Sequence, residues 1–155
     1  VTKKQHERVL GYIAKGRAEG AKLEFGGDVP DRPGYYVNPA LFTQVDNGMT
    51  IAQEEIFGPV AALIEVDGLQ DALRIANDSE YGLSGSVWTS DPAHGLDIAR
   101  QVRTGTYNVN YFMMAMGGPF GGFKSSGLGR ELGPEGLRAY LEPKTICFAP
   151  GSEPK

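Results

Sequence analysis

The chain has 155 residues, of which 41% are hydrophobic and 22% charged, with a formal net charge of −4. These values are typical of one globular domain and exclude a disordered or fibrous protein. Lys and Arg are not dense enough anywhere to favour nucleic acid, and no apolar run approaches the ~20 residues that cross a bilayer. The single cysteine, Cys147, excludes an intrachain disulfide and favours a cytoplasmic location.

The first part of the chain predicts a helix followed by irregular β structure. Thr2 and Gln5 have the spacing of a capping box, which opens a helix expected over residues 3–19. The segment AKLEFGG (21–27) predicts a short strand. The segment YYVNPALF (35–42) predicts an extended edge segment, because a proline interrupts it.

The rest of the chain alternates between strand and helix patterns. The predicted elements are a strand at 60–66, a helix capped by Asp67, a strand at 83–89, a helix capped by Asp91, a strand at 106–110, a short helix at 134–141 and a last strand at 145–148. Strands joined by helices through short connections indicate right-handed crossovers. We therefore predict an α/β fold, a parallel sheet with flanking helices.

Glycines are concentrated in residues 117–130 (GGPFGGFKSSGLGR). In the phosphate-loop pattern a glycine precedes the Lys-Ser pair, but here Phe123 does, and the glycine spacing of the dinucleotide-binding pattern fails as well. A compact loop that uses glycine for positive φ and close backbone approach is therefore favoured over a phosphate cradle.

Four motifs follow one another along the chain: EEIFGPV (54–60), YGL (81–83), PFGGFKSSGLGRE (119–131) and AYLEPKT (139–145). In this order and spacing they resemble the C-terminal part of the NAD(P)-dependent aldehyde dehydrogenases, up to Ile146. The resemblance implies that residues 1–142 are the C-terminal part of a catalytic domain and residues 143–155 an oligomerisation strand and tail. Because the sequence begins at Val1 without a Met, we expect a fragment of a larger enzyme.

The resemblance also assigns roles in coenzyme binding. In the family, the second Glu of EEIFGPV bonds the nicotinamide ribose hydroxyls and the Phe packs beside the nicotinamide, which implies Glu55 and Phe57 here. A carboxylate can accept from two vicinal hydroxyls, and an aromatic face can hold a flat ring. Gln5 and Arg8 stand where the family has polar residues on the coenzyme side. We expect NAD or NADP to bind at Glu55, Phe57 and Gln5. The alternatives are that Glu55 is a charge at a strand edge, that Phe57 belongs to an ordinary core, and that Gln5 only caps the helix.

Two features point to the substrate side. Glu131 matches a family glutamate placed toward the active-site water path, and it is the one candidate catalytic residue in this chain; pairing with Arg130 or capping the next helix are its alternatives. Residues 111–116 (YFMMAM) fall where the family loop borders the substrate tunnel, and flexible thioethers and aromatic faces suit an apolar aldehyde. Core packing under a long loop is the alternative. Asn108 departs from the aromatic common in the family, so pocket shape is not transferable.

The family's nucleophilic cysteine and its water-activating glutamate belong upstream of this segment. Cys147 lies in an apolar stretch without a neighbouring basic group to activate it, and His6 and His94 lack metal-ligand spacing, so we expect no metal. The complete enzyme is expected to convert an aldehyde to a carboxylic acid as a homo-oligomer, a dimer or tetramer, while this chain alone is inactive. A non-catalytic binding or assembly module on the same fold is the main alternative. A relative that reduces acyl phosphates or forms acyl-CoA is less favoured.

Overall fold

The structure is a computed structural model that describes residues 2–152. Contacts divide the chain after Ser79 into two compact units. We call residues up to Ser79 the N-terminal unit and residues from Glu80 the C-terminal unit. Each unit contains its own small sheet.

The described part of the N-terminal unit, from Thr2 onward, combines a three-stranded sheet with three helices. Its elements are α1 (Lys3–Ala18), β1 (Lys22–Phe25), β2 (Ala40–Thr43), α2 (Thr50–Gln53), β3 (Val60–Ala62) and α3 (Leu69–Asn77). β1 pairs with β2 in antiparallel orientation, with Lys22 opposite Thr43. β3 pairs with β2 in parallel orientation, with Ala40 opposite Val60. β2 is therefore the central strand.

The core of this unit includes residues of α1, β2 and α2. Val9 and Ile13 are buried on one face of α1, and Phe42 of β2 is fully buried. Gly16 lets Ile51 of α2 approach α1, because a Cβ at position 16 would lie 2.9 Å from Ile51 Cδ1. The predicted helix at 3–19 is confirmed, and its apolar face is what packs.

The C-terminal unit is built on a strand–helix–strand crossover. Its elements are β4 (Ser84–Val87), α4 (Pro92–Gln101), β5 (Thr106–Val109), a 3₁₀ turn (Lys124–Ser126) and α5 (Gly133–Arg138). β4 and β5 are parallel, with Ser84 opposite Thr106. Asp91 caps α4 as predicted, since its Oδ1 accepts from the Ala93 and His94 amides at 2.9 and 3.1 Å.

The α/β class is confirmed, but the predicted single series of parallel strands is divided between two sheets. The apolar run 60–66 is a strand only over β3, which pairs with β2, whereas β4 pairs with β5. An apolar run specifies burial and not the partner strand, so sequence pattern alone could not make this assignment.

One prediction about a helix start is wrong, and one helix was not predicted. Asp67 does not cap α3: Gly68 occupies the N-cap with φ 105°, and the Asp67 amide donates to Asp71 Oδ2 at 3.2 Å. The sequence pattern also missed α2. This four-residue helix has no side-chain cap of its own; Glu19, at the end of α1, accepts from the Thr50 amide and hydroxyl at 2.8 and 2.6 Å. A tertiary contact of this kind has no local sequence signature.

The predicted last strand at 145–148 is wrong for this structure, because residues 141–149 form neither helix nor strand. A strand needs a partner ladder, and the described chain supplies none to this segment. Ile146 and Phe148 are exposed at 68% and 51%. The boundary after Glu142 and the joining role of residues 143–155 stay predictions, and residues 153–155 lie outside the described part. No helix among the described residues is long and apolar enough to cross a membrane.

Candidate functional site

The EEIFGPV segment, residues 54–60, connects α2 to β3 and packs against α1. Ile56 is buried in the core of the N-terminal unit. Gly58 allows close approach to α1, since a Cβ there would lie 2.5 Å from Val9 Cγ2. With Ile56 buried, Glu55 and Phe57 on either side of it are exposed.

Side chains of α1 hold the backbone of this segment. Gln5 Nε2 donates to Phe57 O at 2.9 Å and to Ile56 O at 3.3 Å. Arg8 Nη2 donates to Glu55 O at 2.8 Å. Gln5 and Arg8 lie three residues apart and therefore share one helix face. Three consecutive carbonyls are thus fixed by two side chains from the same helix.

Phe57 has an unusual conformation. Its φ is 53°, in the left-handed region that non-glycine residues seldom adopt, and the residue is 76% exposed. Such a conformation costs on the order of 1–3 kcal/mol and persists only where surrounding contacts enforce it. The interpretation of Phe57 as ordinary core is therefore wrong.

The two adjacent carboxylates have different surroundings. The Tyr12 hydroxyl donates to Glu54 Oε2 at 2.7 Å and accepts from Arg8 Nη2 at 3.1 Å. Glu55, in contrast, is exposed, and in the described part of the chain its contact with α1 is made through its backbone carbonyl. Glu54 is thus held by α1, while the Glu55 carboxylate stays available as an acceptor for a ligand.

Sequence reasoning missed this network, although a signal for it was present. Gln5, Arg8 and Tyr12 follow the i, i+3, i+7 spacing of one helix face. The Tyr12 hydroxyl belongs to this polar stripe, which meets the EEIFGPV segment.

The YGL turn and the glycine-rich loop meet in the C-terminal unit. Gly82 O accepts from the Gly105 and Phe123 amides at 3.1 and 2.8 Å, and the Gly82 amide donates to Ser126 Oγ at 3.0 Å. Gly105 touches the loop directly, because a Cβ there would lie 1.6 Å from Gly121 O. The predicted compact loop with close backbone approach is confirmed. The Phe123 and Ser125 amides of the loop already donate to protein carbonyls, those of Gly82 and Glu80.

Glu131 lies at the end of this loop. Its backbone pairs with Phe120 through two hydrogen bonds of 2.7 Å, and its exposed side chain borders a cavity of about 410 Å³. Leu132 is the N-cap of α5 without a side-chain bond, so Glu131 does not cap that helix. Arg130 Nη1 donates instead to Gly122 O and Gly129 O, at 2.9 and 2.8 Å.

Residues 111–116 are all exposed, so the interpretation as core under a loop is wrong. Three of them, Phe112, Met113 and Met114, border a smaller cavity of about 140 Å³. Its lining combines polar side chains from β4 and β5 with apolar side chains from the loop: Ser84, Thr106, Asn108, Phe112, Met113, Met114 and Phe120. No group of three potential metal ligands occurs among residues 2–152.

Comparison with known proteins gives one consistent result. The model of the aldehyde dehydrogenase family matches residues 1–146. A geranial dehydrogenase of Castellaniella defragrans is 47% identical over 140 residues, which cover 90% of this chain and 29% of that relative. The chain thus spans less than a third of this relative's length.

Solved structures agree with this match. A Mycobacterium tuberculosis aldehyde dehydrogenase complexed with NAD+ superimposes with a TM-score of 0.95 at 52% identity, covering 98% of this chain and 32% of that one. A Bacillus cereus aldehyde dehydrogenase in an NAD+ complex superimposes with a TM-score of 0.88 at 45% identity. The match covers 92% of this chain and 29% of that one.

Proposed function

Because the chain belongs to the aldehyde dehydrogenase family, we propose that it is the C-terminal part of an enzyme that oxidises an aldehyde to a carboxylic acid with NAD or NADP. Glu55, Phe57 and Gln5 form its part of the coenzyme site. The Glu55 carboxylate accepts from the nicotinamide ribose hydroxyls, and the Phe57 ring lies beside the nicotinamide. When bound, the coenzyme supplies the hydride acceptor.

The observation that carries this proposal is the presentation of Glu55 and Phe57. Both side chains are exposed on a backbone that Gln5 and Arg8 fix in a strained conformation. Strain retained at an exposed aromatic residue is typical of binding and catalytic sites, because a merely structural turn would place glycine there. An acceptor-only carboxylate beside a flat apolar face fits a ribose joined to an aromatic ring.

The C-terminal unit supplies the substrate side. Phe112, Met113 and Met114 form, with Phe120, an apolar rim of aromatic and thioether side chains around a cavity whose remaining lining is polar. This arrangement suits an aldehyde with an apolar body. Glu131 is placed at the water path and takes part in proton movement there. The family's nucleophilic cysteine and its water-activating glutamate are contributed by the rest of the enzyme, so the 155-residue chain alone shows no turnover.

The remaining parts of the proposal concern assembly and location. The full enzyme is a cytoplasmic homo-oligomer, a dimer or tetramer, joined in part by residues 143–155. Exposed apolar side chains near this end, Tyr140 at 87% and Ile146 at 68%, are suited to burial against a partner.

The test is coenzyme binding by the full-length protein that carries this chain, measured by fluorescence titration with NAD+ and NADP+. Glu55→Ala removes a charged acceptor, which is worth about 1.5–3 kcal/mol and hence roughly 10- to 100-fold in affinity. Phe57→Ala should weaken binding in the same direction. Glu65→Ala, which removes another exposed carboxylate of the N-terminal unit, is the matched control. Unchanged affinity in both site variants would refute the coenzyme role.

The exposed apolar residues also favour a second candidate, a non-catalytic assembly module on the same fold. The two functions differ in what precedes this segment in the gene. An upstream cysteine and glutamate in the family's order support the enzyme, whereas a start codon close to Val1 supports the module.

A further inference from the structure

We propose that Asn47 is a site of spontaneous deamidation, and that the carboxylates of Asp46 and Asp78 restrain this reaction in the folded chain. Of the five asparagines in the sequence, Asn47 alone is followed by glycine. The pair lies in the turn before α2, where Gly48 is exposed and Asn47 half-buried, so water reaches both residues. The site is separate from the proposed coenzyme and substrate sites, and the inference does not depend on them.

The reaction joins two neighbouring groups of the turn. The Gly48 amide nitrogen bonds to Cγ of the Asn47 side chain and closes a succinimide ring, and the carboxamide nitrogen leaves as ammonia with the amide proton. Water then opens the ring at either carbonyl, which leaves aspartate or isoaspartate at position 47. Water is the only co-reactant. Glycine favours ring closure because it has no Cβ to obstruct the approach.

The nucleophile of this reaction is held by Asp46. The Gly48 amide donates to Asp46 Oδ1 at 2.8 Å, the local bond that an aspartate makes to the backbone two residues on. The Met49 amide donates to Asp46 O at 3.0 Å, which closes a β-turn around residues 47 and 48. The attacking nitrogen is thus directed at a carboxylate, and it must break this bond to reach the Asn47 side chain.

The leaving group is held by Asp78, at the end of α3. Asn47 Nδ2 donates to Asp78 Oδ2 at 2.8 Å, a bond to a charged acceptor. Gln53 Nε2, from α2, ties the same two residues together, through Asn47 O at 2.7 Å and Asp78 O at 3.0 Å. The carboxamide therefore has to leave Asp78 before it can turn toward the attacking nitrogen.

Deamidation destroys the contact that restrains it. The product carboxylate has no N–H to donate, so it faces Asp78 as a second acceptor of like charge. The link between the turn and the end of α3 is lost at this point. Because ammonia is released, the change does not reverse, and the modified protein accumulates with time.

The test is the rate of deamidation at position 47 in the full-length protein that carries this chain, followed by peptide mass spectrometry at neutral pH. Unfolding in guanidinium chloride removes both restraints, so we expect a rate roughly a hundredfold above that of the folded protein. Asp78→Ala frees the carboxamide in the folded protein and should raise the rate about tenfold. Asp46→Ala frees the nucleophile and should act in the same direction.

Two further variants serve as controls of this rate. Asp71 also lies on α3, but its carboxylate accepts from Arg74 Nη2 at 2.6 Å and from the Asp67 amide, so Asp71→Ala should leave the rate unchanged. Gly48→Ala places a Cβ beside the attacking nitrogen and should slow the reaction. The turn accepts this Cβ, whose nearest neighbour would be the flexible end of Asp46, at 3.2 Å.

The product is tested separately. Asn47→Asp reproduces the aspartate that deamidation forms, whereas Asn47→Ala removes the donor without adding a charge. We expect Asn47→Asp to unfold at a lower urea concentration than Asn47→Ala, because it places a carboxylate against Asp78.

Each outcome bears on one part of the inference. No conversion at position 47 in the unfolded protein would overturn the modification site. Equal rates in the folded and unfolded protein, or an equal rise in Asp78→Ala and Asp71→Ala, would overturn the restraint. An Asn47→Asp protein as stable as Asn47→Ala would refute the repulsion from Asp78. None of these rates depends on coenzyme binding, so failure of the proposed function would leave them unchanged.

Discussion

The two units stabilise their functional segments by different physical means. The N-terminal unit places residues 54–60 on a core of buried side chains that includes Val9, Ile51 and Phe42. In the described part of the C-terminal unit, the only buried apolar side chains belong to Ile98 and Val102, and the glycine-rich loop is held by contacts between backbone atoms. Packed side chains can adjust by rotamer changes, whereas touching backbones cannot. The stability of the two units should therefore respond differently to substitutions that remove side-chain atoms and to substitutions that add them.

Loss of atoms should have its largest effect in the N-terminal unit. Phe42 is fully buried, so Phe42→Ala removes an aromatic ring and leaves a cavity, at a cost of about 3–5 kcal/mol in the free energy of unfolding. Urea denaturation followed by circular dichroism measures the change. Phe25→Ala, at a position 58% exposed, is the control and should cost about 1 kcal/mol or less. Equal costs at both positions would contradict the core described here.

Gain of atoms should have its largest effect in the C-terminal unit. A Cβ at Gly105 would lie 1.6 Å from Gly121 O, a backbone atom, so Gly105→Ala must separate β5 from the loop, at a cost of about 3 kcal/mol. Gly129→Ala adds the same atom to the same loop, where nothing lies within 4 Å, and should change the stability by about 0.5 kcal/mol or less. Hydrogen exchange of the β4 and β5 amides measures both. Similar effects of the two variants would argue against backbone contact as the stabilising feature.

A helix cap should have an intermediate effect. Asp91→Ala leaves the Ala93 and His94 amides without their acceptor, and the expected cost is about 1 kcal/mol. Asp97→Ala on the same helix removes only an exposed ion pair with Arg100 and should be close to neutral, about 0–1 kcal/mol. If Asp97→Ala proved the more costly change, the assignment of the cap would be wrong.

The units should also differ in their response to pH. Hydrogen bonds from Thr50 lower the pKa of Glu19, and bonds from Arg74 lower that of Asp71, from ordinary values of 4.5 and 3.8. Both residues lie in the N-terminal unit. Because the folded pKa values are lowered, their stabilisation is present above about pH 4.5 and is lost as the pH falls through the folded values.

Tyr107 in the C-terminal unit affects stability at high pH, because burial raises its pKa from the ordinary value of 10.0. This contribution is complete below about pH 10 and is lost as the pH rises through the folded pKa. NMR peak intensities, followed residue by residue, should show acid-dependent loss around Glu19 and Asp71 and alkaline loss around Tyr107. Glu19→Gln should flatten the acid dependence and Tyr107→Phe the alkaline one. An unchanged acid dependence in Glu19→Gln, or an unchanged alkaline dependence in Tyr107→Phe, would contradict these assignments.

The elements that could be predicted from sequence were those specified by local signals. The helical period and caps gave α1 and α4, and short apolar runs with turn residues gave β1, β4 and β5 close to their observed bounds. The choice of sheet partner for β3, the cap at Gly68 and the four-residue α2 depend on contacts distant in sequence, such as Glu19 with Thr50. Local pattern contains no information about them.

The candidate site divides in the same way. Residue types and motif order were enough to identify Glu55 and Phe57 as candidates. They did not indicate that Phe57 is strained, that Tyr12 holds Glu54, or that Gln5 and Arg8 bond to the intervening backbone. Those features depend on hydrogen bonds between α1 and a segment about fifty residues away, whose geometry only the folded chain defines.

The distribution of backbone contacts along the glycine-rich loop has a practical consequence. Gly105, Gly121 and Gly122 allow no side chain, whereas Gly117 has nothing within 4 Å of an added Cβ, and residues 111–116 are exposed. A mutant library that tests the proposed substrate side should therefore randomise residues 111–117 and leave the three contact glycines unchanged. Gly129 also has nothing within 4 Å of an added Cβ, so the loop tolerates side chains on both sides of the contact glycines Gly121 and Gly122.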